Sequence, residues 1–167
     1  MLRIAKFEKV SKALFVKAAT GLDMTEAEAD SAYDAIELPK RATTGSAGYD
    51  FYLPTDLRLE PGQTVKIPTG IRVRMEEGWV LMLYPRSGLG FKYRLQLDNT
   101  VGVIDSDYYY SDNEGHIMAK LTNDSRDGRV LELEAGKAFM QGIFTPFGIT
   151  EDDETTGVRN GGFGSTN

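Results

Sequence analysis

The sequence predicts an all-β fold, a jelly-roll-like β-barrel with one short helix inserted near the N-terminus. Three observations carry that prediction. Short β-type runs recur along the chain, turn signals separate them at short intervals, and a single segment near the start breaks the strand pattern. At 167 residues the chain fits one domain able to bury a core unaided.

The helix comes first. Thr25-Glu26-Ala27-Glu28 reads as a capping box, with Thr25 as N-cap and Glu28 at the third helical position. Ala27, Ala29, Ala32, Ala35 and Ile36 then form a weak helical stripe, which places a helix over residues 24–36, ahead of Pro39. Ile71-Arg72-Val73-Arg74-Met75 alternates apolar and polar, as a half-buried strand does. Trp79-Val80-Leu81-Met82-Leu83 is apolar throughout and predicts a strand buried on both faces. Residues 117–121, 130–133 and 139–144 are further strands, and Pro61-Gly62, Glu77-Gly78, Asp127-Gly128 and Ala135-Gly136 supply turns. From Thr155 the chain is polar and Gly-rich without a period. The expected division is therefore a β domain over 1–154 and a flexible C-terminal lid over 155–167.

Composition narrows the function. A net charge of −6 without any Lys/Arg run does not suit a nucleic-acid backbone, although a few placed cations and backbone N–H groups can still hold a nucleotide. Zero cysteines exclude disulfides, thiol nucleophiles and zinc-thiolate sites, and fit a reducing compartment. The single histidine, His116, excludes a His-rich metal site, and a Ser-His-Asp triad would have to use it. No apolar stretch reaches the roughly 20 residues of a membrane span. The start, Met1-Leu2-Arg3-Ile4-Ala5-Lys6, lacks the apolar centre of a signal peptide. A soluble, cytoplasmic protein with no nucleic-acid and no membrane partner is expected.

Several pieces can carry chemistry. Gly102-Val103-Ile104-Asp105-Ser106-Asp107-Tyr108 sets two carboxylates and a phenol directly after an apolar run. A carboxylate is costly to desolvate, so Asp105 is expected at the mouth of a cleft, where it can orient a water. In Pro85-Arg86-Ser87-Gly88-Leu89-Gly90 the glycines let backbone N–H groups approach an anion, with Ser87 and Arg86 as further donors; a plain turn with a solvated arginine is the other reading. Asp50, in Ala47-Gly48-Tyr49-Asp50, either caps a turn or holds a metal-bound water. In the tail, Phe163 sits in a Gly-rich stretch with Arg159 upstream, an arrangement suited to a lid that stacks on a flat ligand. Gln141, the one polar residue of a strand, is either a satisfied core amide or a group reaching a site.

In this order the pieces resemble the five signature motifs of the trimeric dUTP pyrophosphatases (dUTPases). Residues 47–50 resemble motif one, 85–90 motif two, 99–108 motif three, 136–144 motif four and 159–166 motif five. The resemblance implies a dUTPase-like fold and hydrolysis of dUTP to dUMP and pyrophosphate, which keeps uracil out of DNA and supplies dUMP. It implies that Asp105 orients the water that attacks the α-phosphate and contacts the sugar 3′-hydroxyl. Asn99 and the backbone of Gly102, Val103 and Ile104, with Met118 facing them, would read the uracil edge. Tyr108 would pack on the deoxyribose and exclude a 2′-hydroxyl. Arg86, Ser87, Gly88 and Gln141 would hold phosphates, with Arg159, Gly164 and Ser165 joining the substrate contacts. Asp50 would touch Mg²⁺ through water, and Phe163 would stack on uracil. By the same resemblance the protein is a homotrimer with active sites at subunit interfaces.

The chain departs from the family pattern in three places. Tyr108 is followed by Tyr109-Tyr110-Ser111-Asp112-Asn113 before Glu114-Gly115, which makes 109–113 a five-residue insertion at the hairpin tip. Only Asn160 separates Arg159 from the Gly-Gly pair, where the family often has two residues. The segment 17–36 is longer than the family core requires and is expected to lie outside the active site. Two rivals compete with this reading. A dCTP deaminase on the same fold would need an acid beside the hairpin, for which Asp107 and Glu114 are the candidates. A regulatory binding protein would use tail closure as a switch and the insertions as docking surfaces for a protein partner.

Overall fold

A computed structural model describes residues 1–159 and 161. In chain order it places β1 (Ala5–Lys9), α1 (Lys12–Ala19), α2 (Glu26–Ala35), β2 (Lys40–Arg41), β3 (Tyr49–Tyr52), β4 (Leu57–Leu59), β5 (Thr64–Pro68) and β6 (Ile71–Met75). There follow β7 (Trp79–Pro85), α3 (Ser87–Tyr93), β8 (Leu95–Leu97), β9 (Gly102–Ile104), β10 (Met118–Asn123), β11 (Leu131–Leu133) and β12 (Ala138–Pro146). The protein is predominantly β, as expected. Among the described residues its ladders form separate sheets, ordered β1-β6, β5-β10-β8, β11-β4 and β2-β3-β12-β7-β9, rather than one closed barrel.

The core lies between these sheets. Phe51, Ile67, Leu81, Leu121, Leu131, Phe139 and Met140 are among its most buried members. The expected strand at Ile71–Met75 is observed with those bounds, and its alternation is real: Ile71, Val73 and Met75 are buried while Arg74 is exposed. The apolar run from Trp79 differs from expectation. Leu81 and Leu83 are buried, but Trp79, Val80 and Met82 are only half-buried, so one face of β7 remains partly open in the single chain. Hydrophobicity alone reported affinity for burial, not the presence of a second layer.

The capping box at Thr25 forms as read: Thr25 Oγ1 accepts from the Glu28 amide, and Glu28 accepts from the Thr25 amide at 2.8 Å. Its helix is not alone. α1 starts at Ser11, whose Oγ accepts from the Leu14 amide, and buries Phe15 and Ala19 against Val10 and Ala29 in a second small core. Lys12 ties the two helices by ion pairs to Asp30 (2.8 Å) and Asp34 (3.1 Å). The pair leans on Gly70, where φ is +70° and an added Cβ would stand 3.1 Å from the Phe15 ring. Glycine there answers both the left-handed backbone and the close approach of α1.

Candidate active site

β9 is an edge strand. Among the described residues it pairs with β7 alone, Gly102 opposite Leu83 and Ile104 opposite Leu81. An antiparallel strand turns the N–H and C=O of alternate residues to opposite sides, so an edge strand keeps a row of donors and acceptors for another partner. The approach to β9 is tight. Thr100, at φ +68°, closes on Leu97 O at 2.8 Å, and the Val101 amide reaches Asn99 O at 2.7 Å. β8 and β9 belong to different sheets, so Asn99 lies in a bridge between sheets rather than in a simple two-stranded hairpin.

Directly after β9, Asp105 is the N-cap residue of a 3₁₀ turn over Ser106–Tyr110, yet its side chain makes no capping bond. Its carboxylate instead meets Arg159: Nη2 lies 2.5 Å from Asp105 Oδ2, and Nε lies 2.9 Å from Asp107 Oδ1. The guanidinium also stands 5.9 Å from the Tyr108 ring centre. Asp107, named from the sequence only as a candidate acid for a deaminase, thus shares the cation with Asp105. Asp105 remains about half-exposed (47% of its side chain). Tyr108 is buried at 6% exposure, and its hydroxyl donates to His116 O and accepts from Asn113 Nδ2, each at 2.8 Å. Burial pushes its phenol above the usual tyrosine range, so it remains a neutral ring. Met118 begins β10, two residues beyond His116, and is half-buried.

A second cluster forms at the other end of β7. Gln141 lies opposite Asp50 on β3 and opposite Tyr84 on β7, and its Nε2 approaches Pro85 O at 3.5 Å. Arg86 Nε stands 3.4 Å from Asp50 Oδ1. A register shift between Ala138 and Met140 bulges β12, and Phe139 offers its carbonyl to the Arg86 amide at 3.3 Å. The Gly-rich bend expected after Arg86 is a helix, α3, capped by the Arg86 carbonyl, which accepts from Leu89 and Gly90. Two glycines disguise it, since glycine is a poor helix former. A helix leaves its first N–H groups without intrahelical partners, and here these belong to the exposed Ser87 and Gly88.

The two clusters do not meet within one chain. The register of β7 with β9 puts Asp105 beside Val80, six residues before Arg86; at about 3.3 Å per residue the ends are roughly 20 Å apart. The structure therefore gathers Asp105, Tyr108 and Arg159 at one end, and Asp50, Arg86, Ser87, Gly88 and Gln141 at the other. Phe163, Gly164 and Ser165 lie outside the described residues.

Two of the groups named for alternative chemistries are engaged elsewhere. Glu114 turns away from this surface, its carboxylate accepting from the Ser11 amide at 2.7 Å and the Ser11 hydroxyl at 2.5 Å. His116 is buried, and its Nε2 accepts the Gly70 N–H at 2.9 Å, so it serves no triad. No group of three or more His, Cys, Asp or Glu able to cage a metal occurs among the described residues. No helix among them is long and apolar enough to cross a membrane.

A family model described as dUTPase matches residues 34–167. A deoxyuridine 5′-triphosphate nucleotidohydrolase of Lactococcus lactis is 43% identical over 134 residues, covering 78% of this chain and 88% of its own length. One from Paraburkholderia phymatum is 39% identical over 138 residues with the same coverage. The crystal structure of the dUTPase from Streptococcus mutans matches with a TM-score of 0.64 at 36% identity, covering 87% of this chain and 98% of that one.

Proposed function

The chain belongs to the dUTPase family and hydrolyses dUTP to dUMP and pyrophosphate, and we propose that Asp105 orients the attacking water at a site completed by a second chain. One observation carries the assignment: a half-exposed carboxylate, excused from capping, at the end of an edge strand and beside a buried tyrosine ring.

Uracil presents an acceptor–donor–acceptor edge, which the outward N–H and C=O groups of β9 complement, with Asn99 at the rim. Met118 closes this pocket from β10. The Tyr108 ring, held by His116 O and Asn113, packs on the deoxyribose and leaves no space for a 2′-hydroxyl. Water attacks the α-phosphorus: the new O–P bond forms, the bond to the α–β bridging oxygen breaks, and pyrophosphate leaves. The proton passes to Asp105. Arg86, Gln141, the Ser87 hydroxyl and the first amides of α3 neutralise and hold the phosphates.

In the resting chain Arg159 occupies Asp105. The incoming phosphates offer that cation a stronger partner, so binding frees the carboxylate to hold water. On this account the segment from Thr155 onward is the lid, and its closing residues exchange carboxylate for phosphate.

Magnesium fits the donor set. Mg²⁺ arrives on a triphosphate, keeps several waters, and needs only one or two nearby carboxylates. Asp50 is a single carboxylate, 18% exposed and set beside Arg86 and Gln141, which suits contact through water. When bound, the ion supplies neutralisation of phosphate charge. The homotrimer is proposed on the same footing. Two halves of one site roughly 20 Å apart on a chain are brought together when the β9 end of one subunit meets the α3 end of the next.

Pyrophosphate release across dUTP and the four normal deoxynucleotides, with ammonia followed for dCTP, tests the reading. Release from dUTP alone is expected, lowered about 10²-fold or more in Asp105→Asn with folding intact. Full activity of Asp105→Asn would sink the assignment.

A further inference from the structure

The loop that holds Tyr108 is bolted to the N-terminal helical segment. Residues Glu114 and Gly115 are both left-handed, at φ +57° and +68°. For glycine this is easy; for glutamate it is an uncommon conformation that needs compensation. Glu114 finds it in Ser11, taking both the amide (2.7 Å) and the hydroxyl (2.5 Å) of the N-cap residue of α1. Arg72 lies alongside, its Nη1 3.6 Å from Glu114 and its guanidinium stacked 3.6 Å above the Tyr109 ring. The Tyr109 hydroxyl in turn donates to Glu8 on β1 at 2.7 Å. On either side of Glu114 stand the two groups that aim the Tyr108 hydroxyl, Asn113 and His116. Ser11, Glu8 and α1 all precede the residues matched by the family model, which begin at 34.

We propose that Glu114 is a positioning residue for sugar selection. Its bolt to Ser11 fixes the loop 111–116, that loop fixes the Tyr108 ring, and the ring sets the preference for a deoxyribose over a ribose nucleotide. This rests on the reading of Tyr108 as the sugar-facing ring. With the bolt cut, the loop loses its compensation for the left-handed Glu114, the ring gains freedom, and a 2′-hydroxyl is admitted. Chemistry at Asp105, which lies before the loop, is largely spared. The N-terminal helices, far from being a passive insertion, then brace the specificity element.

The test compares kcat and KM for dUTP and UTP in the full chain. Glu114→Ala and Ser11→Ala are expected to raise KM for dUTP and lower the dUTP/UTP ratio of kcat/KM by about tenfold, equivalent to about 1.4 kcal/mol. The kcat for dUTP is expected to stay within about twofold of the parent. Ser11→Thr, which keeps amide and hydroxyl, restores the ratio. Glu114→Gln keeps one acceptor, should fold even where Glu114→Ala does not, and should fall between. Lys12→Ala, which loosens α1 from α2 without touching the bolt, should leave the ratio at the parent value. An unchanged ratio in Glu114→Ala and Glu114→Gln overturns the proposal, as does an equal fall in Lys12→Ala. A parent chain that hydrolyses dUTP and UTP equally overturns instead the reading of Tyr108, and the two failures are thereby told apart.

Discussion

Acidification between about pH 7.5 and pH 5 separates the folded from the unfolded protein through one buried group, the His116 imidazole, which the unfolded chain protonates and the folded chain keeps neutral. It is 2% exposed, its Nε2 accepts the Gly70 N–H, and burial holds it down to about 4 from an ordinary 6.5. The carboxylate of Glu114 opposes that shift only in part. The unfolded chain takes up the proton first, so stability is complete above the ordinary value and drains as pH falls toward the folded one. At about 1.4 kcal/mol per pKa unit the whole gap is worth about 3 kcal/mol, and roughly 2 kcal/mol of it is gone at pH 5. Other groups do not confuse this window. Hydrogen bonds from Lys6, Ser11 and Thr122 lower Glu8, Glu114 and Asp98 respectively. Carboxyls with depressed values contribute fully above their ordinary values near 4, and weaken only below the window. Urea unfolding at fixed protein concentration, since assembly would couple to stability, measures the loss. In His116→Gln, whose amide oxygen still faces Gly70, the loss should vanish. A sole histidine also gives a sole imidazole signal, so its titration in the native protein needs no assignment. A midpoint near 6.5 would refute the argument outright.

Three further outcomes are expected. Asp105→Asn and Arg86→Ala chains, each inactive alone, should regain up to about a quarter of parental activity when unfolded together and refolded as a one-to-one mixture. That fraction follows if each site draws its two halves from different chains; zero recovery would place both halves on one. Gly115→Ala should cost about 1–3 kcal/mol in denaturant unfolding, because its Cβ would stand 2.7 Å from Tyr109 Cα at φ +68°. Thr25→Ala should cost about 1 kcal/mol by removing the capping box of α2, while pyrophosphate release stays at the parent rate.

How much of this could be read from sequence depended on how local the physics was. The strand at Ile71–Met75 was legible because alternation is a local pattern, and the capping box because its two partners sit three residues apart. α1 escaped notice: eight residues with only Phe15 and Ala19 fully buried offer too short a stripe, and its start is confirmed by Glu114, far along the chain. α3 was hidden by its glycines, and is held instead by a carbonyl at the end of β7. The residues proposed for the site could be picked out by motif, but their grouping could not, since the register of β7 with β9 decides which of them share an end. Asp107 shows the limit plainly. Its partner among the described residues, Arg159, comes from far along the chain and meets Asp105 as well.

The proposed division of the site along β7 between neighbouring chains has a genetic side. A chain damaged at Arg86 but sound at Asp105 spoils a catalytic centre whose water-orienting carboxylate belongs to its neighbour. In a cell expressing both versions, such an allele would remove activity only in proportion to its share of the transcripts, because each chain lends one Arg86 to one site. Alleles damaged at opposite ends would rescue one another in trans.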